Sequence, residues 1–568
     1  MACNFSFANL QEHQITTDIL VIGGGSAGTM AALAARRQGL EVALVDKGGI
    51  DRSGCGCAGN DHFLAILESG PEWDTKEAFL KWYHRLTQGL VDMAIPEKVF
   101  LSRIKRMVAY LEELGIPMRL DMANNDYIRT GSFGQPGDYF INFDGRRLKP
   151  TISAEAAKIG VKFFRRINVT DLLIDEGRVV GAVGFDIRKG DFYTFLARAT
   201  IVATGNVTRL YNNQAGMPYN SWHSPYNNGG AQAMAFRAGA ELKNMEFVNY
   251  TLTPVNFSAS ALNAIVGMGG YIVNGLGERF LFKYHEKGEK GPRWVMPWGV
   301  YWEIKEGRGP CYFDLRHLPE EAINHLLNHL LPVDKNTFLN YCEQKGVDLR
   351  KDLLEVQISE GQLPAFLGSV SGIFVTPECA TTVPGLFAAG ACSVTVGSLS
   401  GSMCVGETAG EEAAKYISHD MTNSKPEVSN EELEVKRDII YRHLNQQGGF
   451  KYYELENKLR QVMTLYVGIG RTRRGLLTAI EELAKLEKLL PDVGADNFHE
   501  LMRLHELKDM LLVAKLITRG ALEREESRFG LSHYRGDFPT SREEWHCSLH
   551  QRLQDDQINF RRVAPSSL

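Results

Sequence analysis

DILVIGGGSAGTMAALAARRQGLEVALVD, residues 18–46, decides how this chain folds. The apolar run Ile19–Ile22 enters a turn, Gly23-Gly24-Gly25-Ser26-Ala27-Gly28. An alanine-rich helical stretch follows to Gln38, Gly39 stops it, and a second apolar run, Val42–Val45, ends at Asp46. The pattern is strand, glycine turn, helix, strand, with a carboxylate 18 positions after the last glycine. Gly23 permits the tight turn, Gly25 lets the backbone approach a pyrophosphate, and Gly28 lets helix and strand pack closely. The helix N-terminus then offers phosphate its unpaired N–H groups and the positive end of its dipole. Asp46 stands where ribose hydroxyls are bound. Three glycines alone are weak evidence, but within a complete βαβ unit they predict a dinucleotide site.

Two later segments say which dinucleotide. Ala199–Gly205, ATIVATG, and Gly385–Cys392, GLFAAGAC, each read as a buried strand running into a glycine. Their order after the glycine turn resembles FAD-binding chains whose nucleotide domain is assembled from distant segments. FAD is favoured over NAD because the chain returns to this domain twice and shows no second fingerprint.

Composition excludes other classes. The 568 residues, 63.4 kDa, amount to roughly four units of about 150 residues. Sixty-three Lys and Arg face 68 Asp and Glu, net −5, so no bulk positive field exists to hold nucleic acid. No run approaches 18 apolar residues, so no membrane-spanning helix is expected. Residues 1–18 lack the basic-then-apolar order of a secretory signal. Nine cysteines without a Cys-x-x-Cys predict neither a disulfide framework nor a metal or iron–sulfur site built from this chain, and a reducing cytoplasm fits best.

Beyond the glycine turn, the chain resembles the fumarate reductase/succinate dehydrogenase flavoprotein family over nearly its whole length. It is most similar to the adenylylsulfate reductase alpha-subunit branch. The resemblance is carried by Arg52-Ser53-Gly54, by KPTISAEAAK (149–158) with GAVGF (181–185), and by SWHSPYNNGGAQAMAFRAGAEL (221–242). LSGS (399–402), FHELMRLHEL (498–507) and REESRFGLSHYRGDFP (524–539) continue it. It implies an α/β fold: a Rossmann-like FAD-binding domain over 1–250 and 370–425, an inserted α+β capping domain over 251–369, and a helical C-terminal domain over 426–568. NSKPEVSN, residues 423–430, reads as a linker, and 431–526 as three or four amphipathic helices followed by an irregular tail. FAD contacts are implied at Gly23, Gly25, Ser26, Ala27, Gly28, Asp46, Lys47, Ser53, Gly54, Gly59, Ala203, Thr204, Gly205, Gly390, Ala391, Ser400, Gly401 and Ser402. Gly54 stands where many relatives carry the histidine that links FAD covalently, so the resemblance implies non-covalent FAD. Cys55 and Cys57 read as small residues lining a tight loop.

The substrate residues depart from the family. GYIVNGLGERF, 270–280, resembles the segment that carries the proton-donating arginine, which maps to Arg279. The family's other polar positions fall at Asn263, Val266, Thr251, Thr253 and Val370, and no arginine accompanies the LSGS turn. A dicarboxylate against Val266 and Val370 would leave charge without partners, so fumarate and succinate are not the expected substrates, and adenylylsulfate is less expected than the overall resemblance suggests. Arg279 either donates a proton or pairs inside the capping domain, and Trp222 either walls the substrate pocket or packs. Asn60, Asp61 and His62 bring new polar groups to the flavin-facing loop, with His62 the candidate acid/base. His223 and Glu246 read as structural. Glu526, Ser527, Arg528, His533, Arg535 and Asp537 read as ties between the helical and FAD domains.

The resemblance further implies a small-molecule substrate, with a sulfur compound as one guess. As electron partner it implies a small iron–sulfur, ferredoxin-like subunit. Two other readings stay open: a self-contained flavin oxidase of the L-aspartate oxidase type, and an electron-transfer module with a closed pocket. A polar ring around Arg279 and His62 would favour the enzyme, and a pocket filled by Val266, Met268, Val370 and Met403 would favour the module. A higher oligomer stays open as well.

Overall fold

The computed structural model describes residues 10–567 apart from 57–61, 132–134, 213–222, 258–261, 335, 360, 364–369, 420–425, 445 and 447–448. It leaves out the side chains of 262–264, 333, 334 and 336 as well. Strand β1 (Glu12–Ile22), helix α1 (Ser26–Arg37) and strand β2 (Val42–Asp46) form the expected unit, with Ile19 opposite Val42 and Ile22 opposite Val45 in a parallel ladder. β3 (Lys162–Arg165), β4 (Ile167–Asp175), β5 (Arg178–Asp186), β6 (Phe192–Val202) and β7 (Leu386–Ala388) complete a seven-stranded sheet. Its order is β3-β2-β1-β6-β5-β4. β6 changes neighbours along its length, pairing antiparallel with β5 over Phe192–Leu196 and parallel with β7 over Thr200–Val202. The chain's two returns to this domain therefore meet on one strand.

The alanines of α1 have a tertiary reason. Helix α2 (Leu399–His419) crosses it so closely that a Cβ on Gly406 would lie 2.2 Å from the Ala27 carbonyl oxygen. One on Gly410 would lie 2.2 Å from that of Ala31. Only small residues on both helices allow backbones to touch in this way.

The capping domain has its own four-stranded antiparallel sheet, ordered Leu252–Pro254, Leu354–Ile358, Cys311–Asp314, Tyr271–Val273. Its core is separate and contains Leu252, Ile265, Val266, Phe280, Val300 and Phe313. Helices Asn430–Tyr441, Tyr452–Tyr466, Arg473–Leu489 and α3 (Phe498–Glu523) follow. Two expectations need correction here. α3 is not amphipathic but buried on nearly every side, because its polar groups are paired internally: Arg503 with Glu506 at 2.7 Å, and Asp509 with Arg237 at 2.9 Å. The tail is irregular only as far as Cys547. Ser548–Gln554 and Gln557–Val563 make a hairpin that adds to Leu242–Lys243 and Gly372–Ile373.

Buried charge joins the layers. Arg524 donates to Glu246 at 2.6 Å, both fully buried, and this pair spans the two domains. Glu526 instead pairs within the tail, with Arg524 at 3.1 Å and Arg528 at 2.6 Å, and Arg535 pairs with Asp537. His533 takes a hydrogen bond from Arg471 at 2.9 Å and is held neutral, far below its usual range, by burial among arginines.

Candidate functional site

The glycine turn is built by contacts that no side chain could share. Gly23 sits at φ +105°, where a Cβ would lie 2.5 Å from the Ala203 carbonyl oxygen. A Cβ on Gly28 would lie 1.8 Å from the Gly23 carbonyl oxygen. Gly25 differs: a Cβ there would meet only the Gly54 Cα, at an ordinary 3.8 Å. Nothing within the described protein requires glycine at 25. Gly54, at φ +82°, presses its own Cα face on Gly25, and a Cβ on it would come within 2.9 Å of the Gly25 Cα. Gly25 is also the N-cap of α1 and provides no side-chain cap. A bare backbone cleft over uncapped helix N–H groups is what a pyrophosphate needs, so these residues fit FAD.

The contrast yields a prediction. Gly25→Val is expected to fold yet lose FAD at least about tenfold, because its side chain enters the phosphate space. Gly28→Ala is expected to disturb the fold itself. Flavin absorbance per folded protein, with circular dichroism as the folding control, separates the two.

Several predicted FAD positions brace the turn. Asp46 accepts from the Gly24 N–H at 2.7 Å and the Gly48 N–H at 2.6 Å, so its carboxylate holds the loop. Ser53 Oγ donates to the Gly24 carbonyl at 2.7 Å. Lys47 reaches α3, donating to Glu506 at 2.7 Å. The Ala203 N–H donates to Ile22 O, and Thr204 Oγ1 accepts from the Ala231 N–H at 3.2 Å. Gly205 and Gly390 take left-handed φ of +84° and +75°. A Cβ on Gly390 would lie 2.7 Å from the Ala27 Cβ, beside Ser26 and the turn. Ala391 lies in the short helix Gly390–Cys392. Ser400 and Gly401 are in the first turn of α2, and Ser402 Oγ lies 3.1 Å from Thr395 Oγ1. Gly59, Asn60, Asp61 and Trp222 lie outside the described residues.

Arg279 and His62 each have partners in their own element's surroundings. Arg279 grips the buried Glu289 through Nε at 3.0 Å and Nη2 at 2.8 Å, and its guanidinium lies 3.6 Å over Tyr271. Of its two sequence readings, this is the ion pair inside the capping domain. His62 pairs with Asn142 across a small sheet, its ring edge-on to Phe140.

A different arginine is aimed at the domain junction. Arg293, just before the cap helix Val295–Lys305, donates through Nη2 to Thr251 Oγ1 at 3.1 Å. Desolvation pulls its guanidinium down to about 10. His223 is lowered to about 4 by burial and by the nearby charge of Arg293, so it is neutral at pH 7. Its Nδ1 lies 2.6 Å from Asn206 Nδ2 and acts as acceptor. Asn206 and Asn227 join it to the flavin-side loop: Asn227 Nδ2 donates to Asn206 Oδ1 at 2.6 Å and to Cys55 Sγ at 3.2 Å.

Comparison with known proteins places the chain. Residues 18–403 match the FAD binding domain family, and 456–568 match the fumarate reductase flavoprotein C-terminal family. The chain belongs to the fumarate reductase/succinate dehydrogenase flavoproteins. A chain of the CoM/CoB fumarate reductase of Methanothermobacter marburgensis is 30% identical, over 94% of this protein and 96% of that one. An uncharacterized FAD-dependent oxidoreductase of Methanocaldococcus jannaschii is also 30% identical, over 94% and 96%. Among solved structures, adenosine-5-phosphosulfate reductase in complex with sulfite superposes with TM-score 0.88 at 24% identity, covering 99% and 97% of the two chains. The E. coli quinol fumarate reductase flavoprotein gives 0.82 at 23%, covering 98% of each. At these identities the structural likeness speaks for the fold.

The flavoprotein is thus an FAD-dependent oxidoreductase by family. Among its described residues no helix is long and apolar enough to cross a membrane. Sequence reading missed Arg293. It stands alone in Gly291-Pro292-Arg293-Trp294, one of 63 basic residues, and no spacing marks it. Only the fold brings it to Thr251.

Proposed function

We propose that this chain is the flavin-bearing subunit of an oxidoreductase that binds a small anion between the capping domain and the flavin loop. Arg293 receives the anionic group. The observation that carries this reading is the desolvated Arg293 guanidinium bound to Thr251 beside the neutral His223. FAD, when bound, supplies hydride or electron-pair exchange. The chain's own residues orient the anion, exclude water and keep His223 without a proton at neutral pH. A sulfur oxyanion and a carboxylate present the same charged oxygens to a guanidinium.

Val266 and Met268 belong to the capping core, whereas Val370 and Met403 belong to the core of the FAD domain, so the four do not form one apolar cluster. Gly54 supports non-covalent FAD, because its positive φ and the 2.9 Å approach to Gly25 leave no room for a linking side chain. The electron partner is taken to be a small iron–sulfur, ferredoxin-like protein, and the site of action the cytoplasm.

Tagged purification from the native host under anoxic conditions tests this. Acid precipitation is expected to leave a yellow supernatant, and a small cysteine-rich chain is expected to co-elute at equal stoichiometry. A yellow chain that elutes alone and reoxidises in air would replace this reading with the self-contained oxidase.

A further inference from the structure

Two strands join the capping domain to the FAD domain, and they run antiparallel. Asn249 and Gln362 are directly opposite, exchanging N–H to O bonds of 2.8 and 2.9 Å. Beyond them Ser359 donates its N–H to Thr251 O at 2.8 Å, and Thr253 stands opposite Gln357. The register gains one residue between Ser359 and Gln362. Side chains alternate along each strand, so one face of the ribbon carries Tyr250, Leu252, Val356 and Ile358. The other face carries Asn249, Thr251, Thr253, Gln357, Ser359 and Gln362.

That second face is entirely polar, and each of its residues is at most 8% exposed. Buried polar groups are normally paired. Here Asn249 Nδ2, Gln362 Nε2 and Gln357 Oε1 make no hydrogen bond among the described residues. The first two are amide groups on directly opposed residues, side by side on one face. Arg293 lies over the same face through its bond to Thr251. Arg471 acts on the opposite side, through Tyr250 and Tyr211.

We propose that the ribbon's polar face binds a small monoanion with a neutral carbonyl-type oxygen at its other end. The anionic group meets Arg293 and the neutral oxygen accepts from the Asn249 and Gln362 amides. This deepens the reading of Arg293 as the anion receptor and rests on it. A dianion fits poorly because its second charge would be buried against uncharged amides.

The test titrates the FAD-loaded full chain by flavin absorbance with three probes. Fumaramate has one carboxylate and one carboxamide, fumarate has two carboxylates, and acrylate has one carboxylate and no second polar end. Fumaramate is expected to bind at least about tenfold tighter than fumarate or acrylate. Asn249→Leu and Gln362→Met are each expected to weaken fumaramate about tenfold while leaving acrylate and the flavin spectrum unchanged. Fumarate binding as tightly as fumaramate on the wild-type chain would overturn the proposal without any variant having to fold. So would variants that weaken fumaramate and acrylate alike, or the absence of any spectral response. Arg293→Met separates the two readings. If it leaves all three affinities unchanged, the arginine reading fails, whereas a preference for fumaramate that survives would still locate the neutral end on the amides.

Discussion

Replacing Arg293 by methionine is expected to weaken small-carboxylate binding by on the order of 10²-fold or more, with FAD content unchanged. Truncating one partner of a desolvated charged contact costs about 2–5 kcal/mol, which sets that scale. The thioether retains much of the side chain's length, so the change removes charge more than volume. The pH dependence has a definite sign. The arginine is charged below its lowered value of about 10, and His223 stays neutral above about 4. Anion affinity is therefore expected to be level from about pH 5 to 9 and to fall as Arg293 loses its proton above it. Titration of the flavin spectrum with acrylate at several pH values measures both effects. An affinity indifferent to the methionine would remove Arg293 from the site.

Glu506→Gln is expected to destabilise the folded chain by about 3–5 kcal/mol, because it strips the anion from a buried cluster of cations. Glu506, 1% exposed, holds Lys47 at 2.7 Å, Arg209 at 2.7 Å and Arg503 at 2.7 Å. Lys47 adjoins the dinucleotide strand and Arg209 follows β6, so one carboxylate of α3 ties two FAD-domain segments to the helical domain. Those cations hold the Glu506 carboxyl well below its usual range, overriding the opposing effect of burial. A depressed carboxylate contributes stability above its unfolded value of about 4.3 and loses it as pH falls below that. The wild-type chain should therefore lose stability on acidification with a steeper slope than the glutamine variant. Denaturant unfolding at pH 7 and pH 4 checks the size and the slope; equal stability at pH 7 would mean that the cluster is not what holds α3 in place.

Much of the fold could be read locally. The turn 23–28 announces itself because apolar run, glycine turn, helical stretch and second apolar run follow one another within residues 18–46. The strands before Gly205 and Gly390 were legible as short apolar runs ending at a glycine. The candidate site was less so. Arg279 sits in a family-like segment, yet its neighbour Glu289, ten residues on, claims it. A loss of dicarboxylate ligands could be read from Thr251, Val266 and Val370, but the group that faces Thr251 could not. Val266 and Val370 look like one apolar pocket in a linear alignment and belong to two separate cores in space. The tail's hairpin was missed because its strand Gln557–Val563 carries alternating polar residues, and pairing decided its shape.

By itself, the sequence determined the cofactor class and the βαβ unit. Each of these depends on residues close together in the chain or on the identity of a single position. Only the tertiary structure decided that α3 is a buried strut, that Asp46 braces the turn while Lys47 reaches α3, and that Arg293 meets a wholly polar ribbon face. Those outcomes depend on which charges share a low-dielectric space, and groups hundreds of residues apart come into such a space only when the chain is packed.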